Sequence, residues 1–243
     1  MILDRVAITG ADESIDPKQL LDLTADFPFV EWAILLSRSS EGKRPRYPGR
    51  KWMDKLLRVA DENKNLRWAG HLCGSWVREW VYHGEMTFEA ERPDYLPIFS
   101  RLQINFHGAE YHQPHKDYWR WLQENKLIQY ILQMDGVNDA MLPWALEKKI
   151  NAVPLFDRSG GDGITPESWP MPWPNLYNGY AGGIGPDNIR DEINRISGAV
   201  GGNVRIWIDM ESKVRDDQDK FDLTKVRACL EAAKQFGAAL QAG

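Results

Sequence analysis

The 243-residue sequence predicts a single-domain (β/α)8 TIM barrel spanning residues 1–243. Three observations predict it. Short apolar runs alternate with longer amphipathic segments from end to end, eight such runs can be counted, and together they leave no residues for a second domain. Strand following helix following strand implies parallel strands joined by right-handed crossovers, and an eight-fold barrel of this kind typically takes about 250 residues. The competing doubly wound sheet usually opens with a G-x-G-x-x-G turn after its first strand. Ile8-Thr9-Gly10-Ala11-Asp12 lacks that turn.

The elements follow in order. RVAITG (5–10) reads as the first strand and DPKQLLDLTADF (16–27) as the first helix, with Asp16 as a capping acid ahead of a first-turn proline. VEWAILLS (30–37) is the second strand. It leads into a basic connection, SRSSEGKRPRYP (37–48), which follows a strand and so rims the C-terminal mouth, where barrel active sites sit. GRKWMDKLLRVADEN is the second helix, LRWAGHLCG the third strand and SWVREWVYHG the third helix. The acidic segment GEMTFEAERPDYLPIFS (84–100) then forms an insertion, an extension of helix three or an extra arm on the outside. RLQINFHG, IQYILQMDG and NAVPLFDRSG supply strands four to six, with KDYWRWLQEN and NDAMLPWALEKK between them. NLYNGYAGG, PDNIRDEINRIS, VRIWIDMES and DLTKVRACLEAAKQF complete the alternation, and Gly185-Pro186-Asp187 marks a helix start. Many runs end in Gly, which suits a tight exit from a strand.

Composition narrows the partners. The formal net charge of −5 gives no global basic field for nucleic acid or an acidic membrane. The basic residues of 38–51 form one loop without an aromatic platform beyond Tyr47 and Trp52, so no nucleic-acid partner is expected. No apolar run is long enough to span a bilayer. Cys73 and Cys229 lie far apart and suggest neither a disulfide framework nor a zinc site. Met1-Ile-Leu-Asp-Arg lacks the features of a signal peptide, and a cytoplasmic location is the expectation. No cofactor signature is present, and most of the 11 tryptophans, Trp52, Trp76, Trp80, Trp119 and Trp121 among them, read as packing.

In a barrel the strand ends become a set of candidates. They are Thr9, the loop with Arg38, Arg44 and Arg46, His71 with Cys73, Asn105 with His107, Gln133 with Asp135, Asp157, Gly182 with Gly183, and Asp209 with Glu211 and Ser212. YAGGIGPDNI (180–189) is the strongest local signal: two glycines end a strand, a helix start follows, and such a turn suits a phosphate. Asp157, Asp209 and Glu211 make an acidic mouth whose spacing is not that of a metal motif.

Several segments resemble phosphoribosylanthranilate isomerase, a tryptophan-pathway barrel that performs an Amadori rearrangement. PLFDRSGGDG (154–163) is similar to the family's Leu-Phe-Asp and glycine-rich loop, and YAGGIGPDNI to its Ala-Gly-Gly-Leu-x-Pro-x-Asn-Val. INFHGAE (104–110) resembles its Val-Gln-Leu-His-Gly-x-Glu, and RPRYP (44–48) its Ser-x-Arg-Tyr. The strand-eight segment from IDMESKV onward keeps the family's register. The resemblance implies Asp157 as general acid and Arg46 as an anion clamp. Asn105, Gly161, Gly163, Asp209 and Glu211 are the candidates around a sugar-like ligand, with Gly182, Gly183, Ser212 and Lys213 around a phosphate. The family's strand-one cysteine base is replaced here by Thr9, which has no useful ionisation near neutral pH, and His107 is a candidate base in its stead. Glu211 stands where the family has a small hydroxyl beside the expected anion.

Three functions fit these residues. The first is an isomerase-like enzyme acting by acid/base chemistry on a small sugar-like, phosphorylated or unphosphorylated ligand, without a cofactor. The second is a barrel that has lost its chemistry and binds a ligand or a protein. The third is an unrelated hydrolase or lyase using His107 with Asp157 or Asp209. Oligomeric state is not legible.

Overall fold

The computed structural model describes residues 1–106, 113–157 and 163–237. Eight parallel strands close into a barrel in sequence order: β1 Ile2–Thr9, β2 Val30–Leu36, β3 Trp68–Leu72, β4 Arg101–Ile104, β5 Gln129–Met134, β6 Ala152–Phe156, β7 Asn178–Ala181 and β8 Arg205–Met210. Around it run α1 Lys18–Asp26, α2 Arg50–Glu62, α3 Ser75–Arg78 (continued as a π-helical turn over Glu79–His83), α4 Thr87–Glu91, α5 Lys116–Glu124, α6 Met141–Glu147, α7 Ile189–Val200 and α8 Leu223–Lys234. The expected barrel is therefore the observed one, strand for strand.

Helix starts are set by side chains. Asp16 Oδ1 accepts the Lys18 N–H at 2.9 Å while Gln19 Oε1 accepts the Asp16 N–H at 2.9 Å, a reciprocal capping box ahead of α1. Asp222 caps α8 in the same spirit, accepting from Thr224 N at 2.8 Å and Lys225 N at 3.2 Å. The 84–100 insertion is not a projecting arm. It folds back so that Phe88 meets Trp76 edge-on at 5.1 Å and Tyr95 at 6.4 Å, both by ring centroids. The described part of the β6–β7 connection carries no helix. Trp169 covers the outer face of the barrel there, edge-on to Tyr180 at 5.8 Å, with its indole N–H donated to Glu192 at 2.8 Å.

The period of two along each strand divides the residues between two cores. Even-numbered Val6, Ile8, Trp32, Ile34, Leu102, Leu132 and Ile208 pack outward under the helices. Odd-numbered Ala7, Ile131, Val153, Leu155 and Trp207 form a smaller cluster inside the barrel. Below that cluster the interior is ionic: buried Glu31 accepts from Arg101 Nη1 at 2.7 Å and from Arg5 Nη1 at 2.5 Å, and the Arg101 guanidinium lies 4.1 Å from the Trp207 ring centroid. The Trp207 indole fills the space beside Gly179. A methyl group on Gly179 would overlap its six-membered ring and lie 2.8 Å from Leu155 Cδ1. Gly179→Ala is therefore expected to destabilise the protein by about 1–3 kcal/mol or more through overpacking, read as a lower urea midpoint. An unchanged midpoint would mean that the barrel interior is looser than this packing.

Candidate active site

The polar ends of the odd-numbered rows converge at the C-terminal mouth, where they line a cavity of about 420 Å³. From within the strands come Leu35, His71, Gln103, Gln133, Leu155, Ala181 and Asp209. One step further along the same rows come Cys73, Asn105, Asp157, Gly183 and Glu211, with Arg46, Tyr47, Gly163, Ser212 and Lys213 contributed by loops. Ten of the sequence-predicted site residues thus meet in one place: Asp157, Arg46, Asn105, Gly163, Asp209, Glu211, Gly182, Gly183, Ser212 and Lys213. His107 and Gly161 lie outside the described residues. Thr9 is fully buried and does not line the cavity. Its hydroxyl donates to Asp209 Oδ1 at 2.7 Å.

Asp209 is a strongly perturbed acid of the mouth. Burial pushes its carboxyl up to about 7. The bond from Thr9 opposes that rise in part, and the charges of Glu211 and Asp157 add to it. Asp157 follows β6 directly, and Gln133 Nε2 donates to its Oδ2 at 3.4 Å. Burial also raises Glu211, opposed by Arg46, whose Nη1 donates to Glu211 Oε1 at 2.7 Å. The mouth offers no activated thiol, because burial pushes Cys73 up to about 12 and its Sγ accepts from Asn105 Nδ2 at 3.1 Å. Burial drives the His71 imidazole down to about 3, so it is neutral at any ordinary pH.

The structure revises the setting of several expected residues. Arg46, at φ 72°, donates from Nε to Asp219 Oδ1 at 3.0 Å, besides its bond to Glu211, and its backbone N–H goes to Asp12 Oδ2 at 2.9 Å. Its guanidinium already serves two carboxylates. Arg215, 3% exposed, donates to Asp12 and to the Gly10 carbonyl. Together Arg46, Arg215, Asp12 and Asp219 tie the β1–α1, β2–α2 and β8–α8 loops into one rim. Arg38 lies away from the cavity, fork-paired with Glu79 at 2.5 and 2.8 Å. Asp135 caps a turn by accepting from Val137 N and Asn138 N.

Gly182 and Gly183 have φ of 131° and 59°, and the 163–165 segment lies against them. A Cβ on Gly183 would sit 2.6 Å from Thr165 N and 2.7 Å from Gly163 O, so close packing alone already requires glycine there. Ahead of α7, Asn188 Oδ1 accepts the Gly185 N–H at 2.9 Å. Lys213 is exposed and lies over Gly185, where a side chain would overlap its Cβ. Gln103 is a polar lining residue that sequence reasoning passed over. The signal was present in RLQIN, where the period of two sets residues 101, 103 and 105 on one face.

Among the described residues, no group of three or more His, Cys, Asp and Glu is placed to hold a metal ion, and no helix is long and apolar enough to cross a membrane. No family model matches the chain, and no curated protein matches it. Solved structures do. Phosphoribosyl anthranilate isomerase from Thermus thermophilus superposes with a TM-score of 0.58 at 16% identity, over 95% of this chain and 98% of that one. TrpF from Jonesia denitrificans gives 0.55 at 13% identity, over 97% and 98% of the two chains. A phosphoribosyl anthranilate isomerase in complex with reduced 1-(o-carboxyphenylamino)-1-deoxyribulose 5-phosphate gives 0.55 at 15%, over 97% and 100%. The chain has the barrel fold of these isomerases over nearly its whole length, and at such identities the likeness is one of fold.

Proposed function

We propose that this barrel is an enzyme of isomerase type that moves a proton on a small sugar-like ligand, with Asp209 and Asp157 as its proton-handling pair. The carrying observation is Asp209: a carboxyl pushed up to about 7 lies in the same cavity as Asp157. Such an acid exchanges protons near neutrality and is a far stronger base than an ordinary carboxylate. In this reading Asp209 takes the proton from a carbon beside a carbonyl or imine. Asp157 supplies a proton to the departing or carbonyl oxygen, the role that its place after the sixth strand implied. Thr9, standing where the resembled family has its base, acts through Asp209 by fixing its rotamer with the 2.7 Å hydrogen bond. Two features support a phosphate at the rim: the Gly182–Gly183 turn ahead of α7, and Lys213 beside Gly185.

The test is exchange of a substrate carbon-bound hydrogen with solvent. A panel of aldose and ketose phosphates is incubated with the protein in D2O and followed by proton NMR. Loss of a C2 hydrogen signal is expected with wild type, and Asp157→Asn is expected to slow the chemistry by about 10²–10⁴-fold while the melting temperature holds. Ligand-induced thermal stabilisation with no exchange by any member would instead identify a binding barrel without turnover.

A further inference from the structure

We infer that Glu211 is a specificity-determining residue of this cavity, selecting a sugar that carries a protonated amine and excluding one that carries a carboxylate at the same end. The inference deepens the proposed function and rests on its premise that this cavity is a ligand site. Arg46 and Glu211 both line the cavity. The Arg46 donors are engaged by the protein itself. Nε and Nη2 face Asp219, at 3.0 Å and 2.9 Å to its Oδ1. Nη1 donates to Glu211 Oε1 at 2.7 Å and to Ser212 Oγ at 3.1 Å. A bidentate grip on an anion needs two adjacent N–H groups of the guanidinium fork. With Nε and both hydrogens of Nη1 committed, neither edge of the fork is open to a second anion. Glu211 thus holds the place that an incoming carboxylate would take.

Charge and hydrogen bonding narrow the ligand further. Arg46 and Arg215 face three carboxylates, those of Asp12, Asp219 and Glu211, so the cluster has no positive charge to spare. Asp157 and Asp209 add further carboxyl groups to the cavity wall. Lys213, the other lining cation, is exposed and lies over Gly185 ahead of α7, so a phosphate beside it is a separate contact. Glu211 keeps an acceptor for the ligand. Its side chain is 30% exposed, and its Oε2 takes no hydrogen bond from the described residues. Two residues back on the same row, Asp209 is 8% exposed. Its Oδ1 accepts from Thr9, and its Oδ2 is likewise without a donor among the described residues. Neither oxygen is among the unpaired atoms that the protein encloses completely. Such an oxygen is satisfied by an incoming donor, and a charged donor makes the stronger bond. An ammonium brings three donors and no acceptor, which suits a wall of carboxylates better than a hydroxyl does.

Titration calorimetry tests this on the whole protein. The probes are aldopentoses and aldohexoses, their amino-deoxy analogues substituted at successive carbons, and their aldonates and uronates. Wild type is expected to bind at least one amino sugar about tenfold tighter than its parent aldose, and every sugar acid more weakly than that parent. Glu211→Gln keeps an oxygen for Arg46 and removes the charge. It is expected to erase most of the amino sugar's advantage and to raise affinity for at least one sugar acid about tenfold. The wild-type series decides the matter even if the variant fails to fold. Equal binding of amino sugar and parent, a sugar acid bound as tightly as the parent, an advantage retained in Glu211→Gln, or no binding by any probe would each overturn the inference. Amine-selective binding that depends on Glu211, without solvent exchange of a carbon-bound hydrogen, would leave it standing and remove the catalytic reading. Exchange on neutral sugars with one KM for wild type and Glu211→Gln, and no preference for the amine, would do the reverse.

Discussion

Asp209→Asn is expected to abolish turnover and yet to melt higher than wild type at pH 8. An aspartate whose folded pKa of about 7 exceeds its usual 3.8 binds more protons in the folded state than in the unfolded state between those two values. Stability must then fall as pH rises from about 4 to about 7, and the full penalty applies above 7. Three units correspond to about 4 kcal/mol at most. Asn keeps an oxygen to accept from Thr9 and carries no charge, so it escapes that penalty. The stability gap between variant and wild type should widen by about 2–3 kcal/mol between pH 5 and pH 8, or about 5–10 °C in melting temperature. Melting curves of both proteins across that range measure it. A gap that does not change with pH would show that Asp209 does not hold a proton near neutrality, and the proposed base would be lost with it. Gain of stability with loss of activity is the expected mark of a group kept in an unfavourable place for its chemistry.

The largest loss of stability is expected at the opposite end of the barrel. Glu31 is completely buried and receives Arg101, which is 1% exposed, and Arg5. Burial alone would push its carboxyl up; the two guanidinium groups reverse this and hold it below the usual range. Glu31→Ala leaves Arg101 inside the barrel with its charge unpaired, and breaking such a pair costs about 3–5 kcal/mol. Replacing Glu31 and Arg101 together, Glu31→Met with Arg101→Met, removes the more deeply buried stranded charge and leaves only Arg5, whose side chain is 19% exposed, so much of that loss is expected to be recovered. Urea unfolding of the single and double variants gives the comparison. A single variant as stable as the double would mean that water reaches Arg101 from the barrel's N-terminal end. Neither side chain lines the mouth, so the folded variants should still bind ligand, with Asp209 relieved of Glu31's part in raising its carboxyl.

Much of this molecule could be read from local pattern. The period of two in the strands and of about 3.6 in the helices is written in neighbouring residues, so eight runs and the segments between them gave the closed barrel in the right order. Barrel geometry then carried Asp157, Asn105, Asp209 and Glu211 to one mouth, because strand ends of a parallel barrel all open on the same side. Other properties belong to the tertiary structure alone. Thr9 and Asp209 are 200 residues apart, and their hydrogen bond gives a threonine with no acid/base chemistry of its own a place beside the proposed base. The sequence suggested Arg46 as an anion clamp, and the fold sets it between Glu211 and Asp219. Gln133 was one strand-end candidate among many and Gln103 was not among them, until burial left one oxygen of each without a partner among the described residues. The physical reason is common to all three cases. Secondary structure follows from short-range sterics and apolar spacing, whereas acidity, pairing and hydrogen-bond satisfaction depend on how much water is removed and which distant group takes its place.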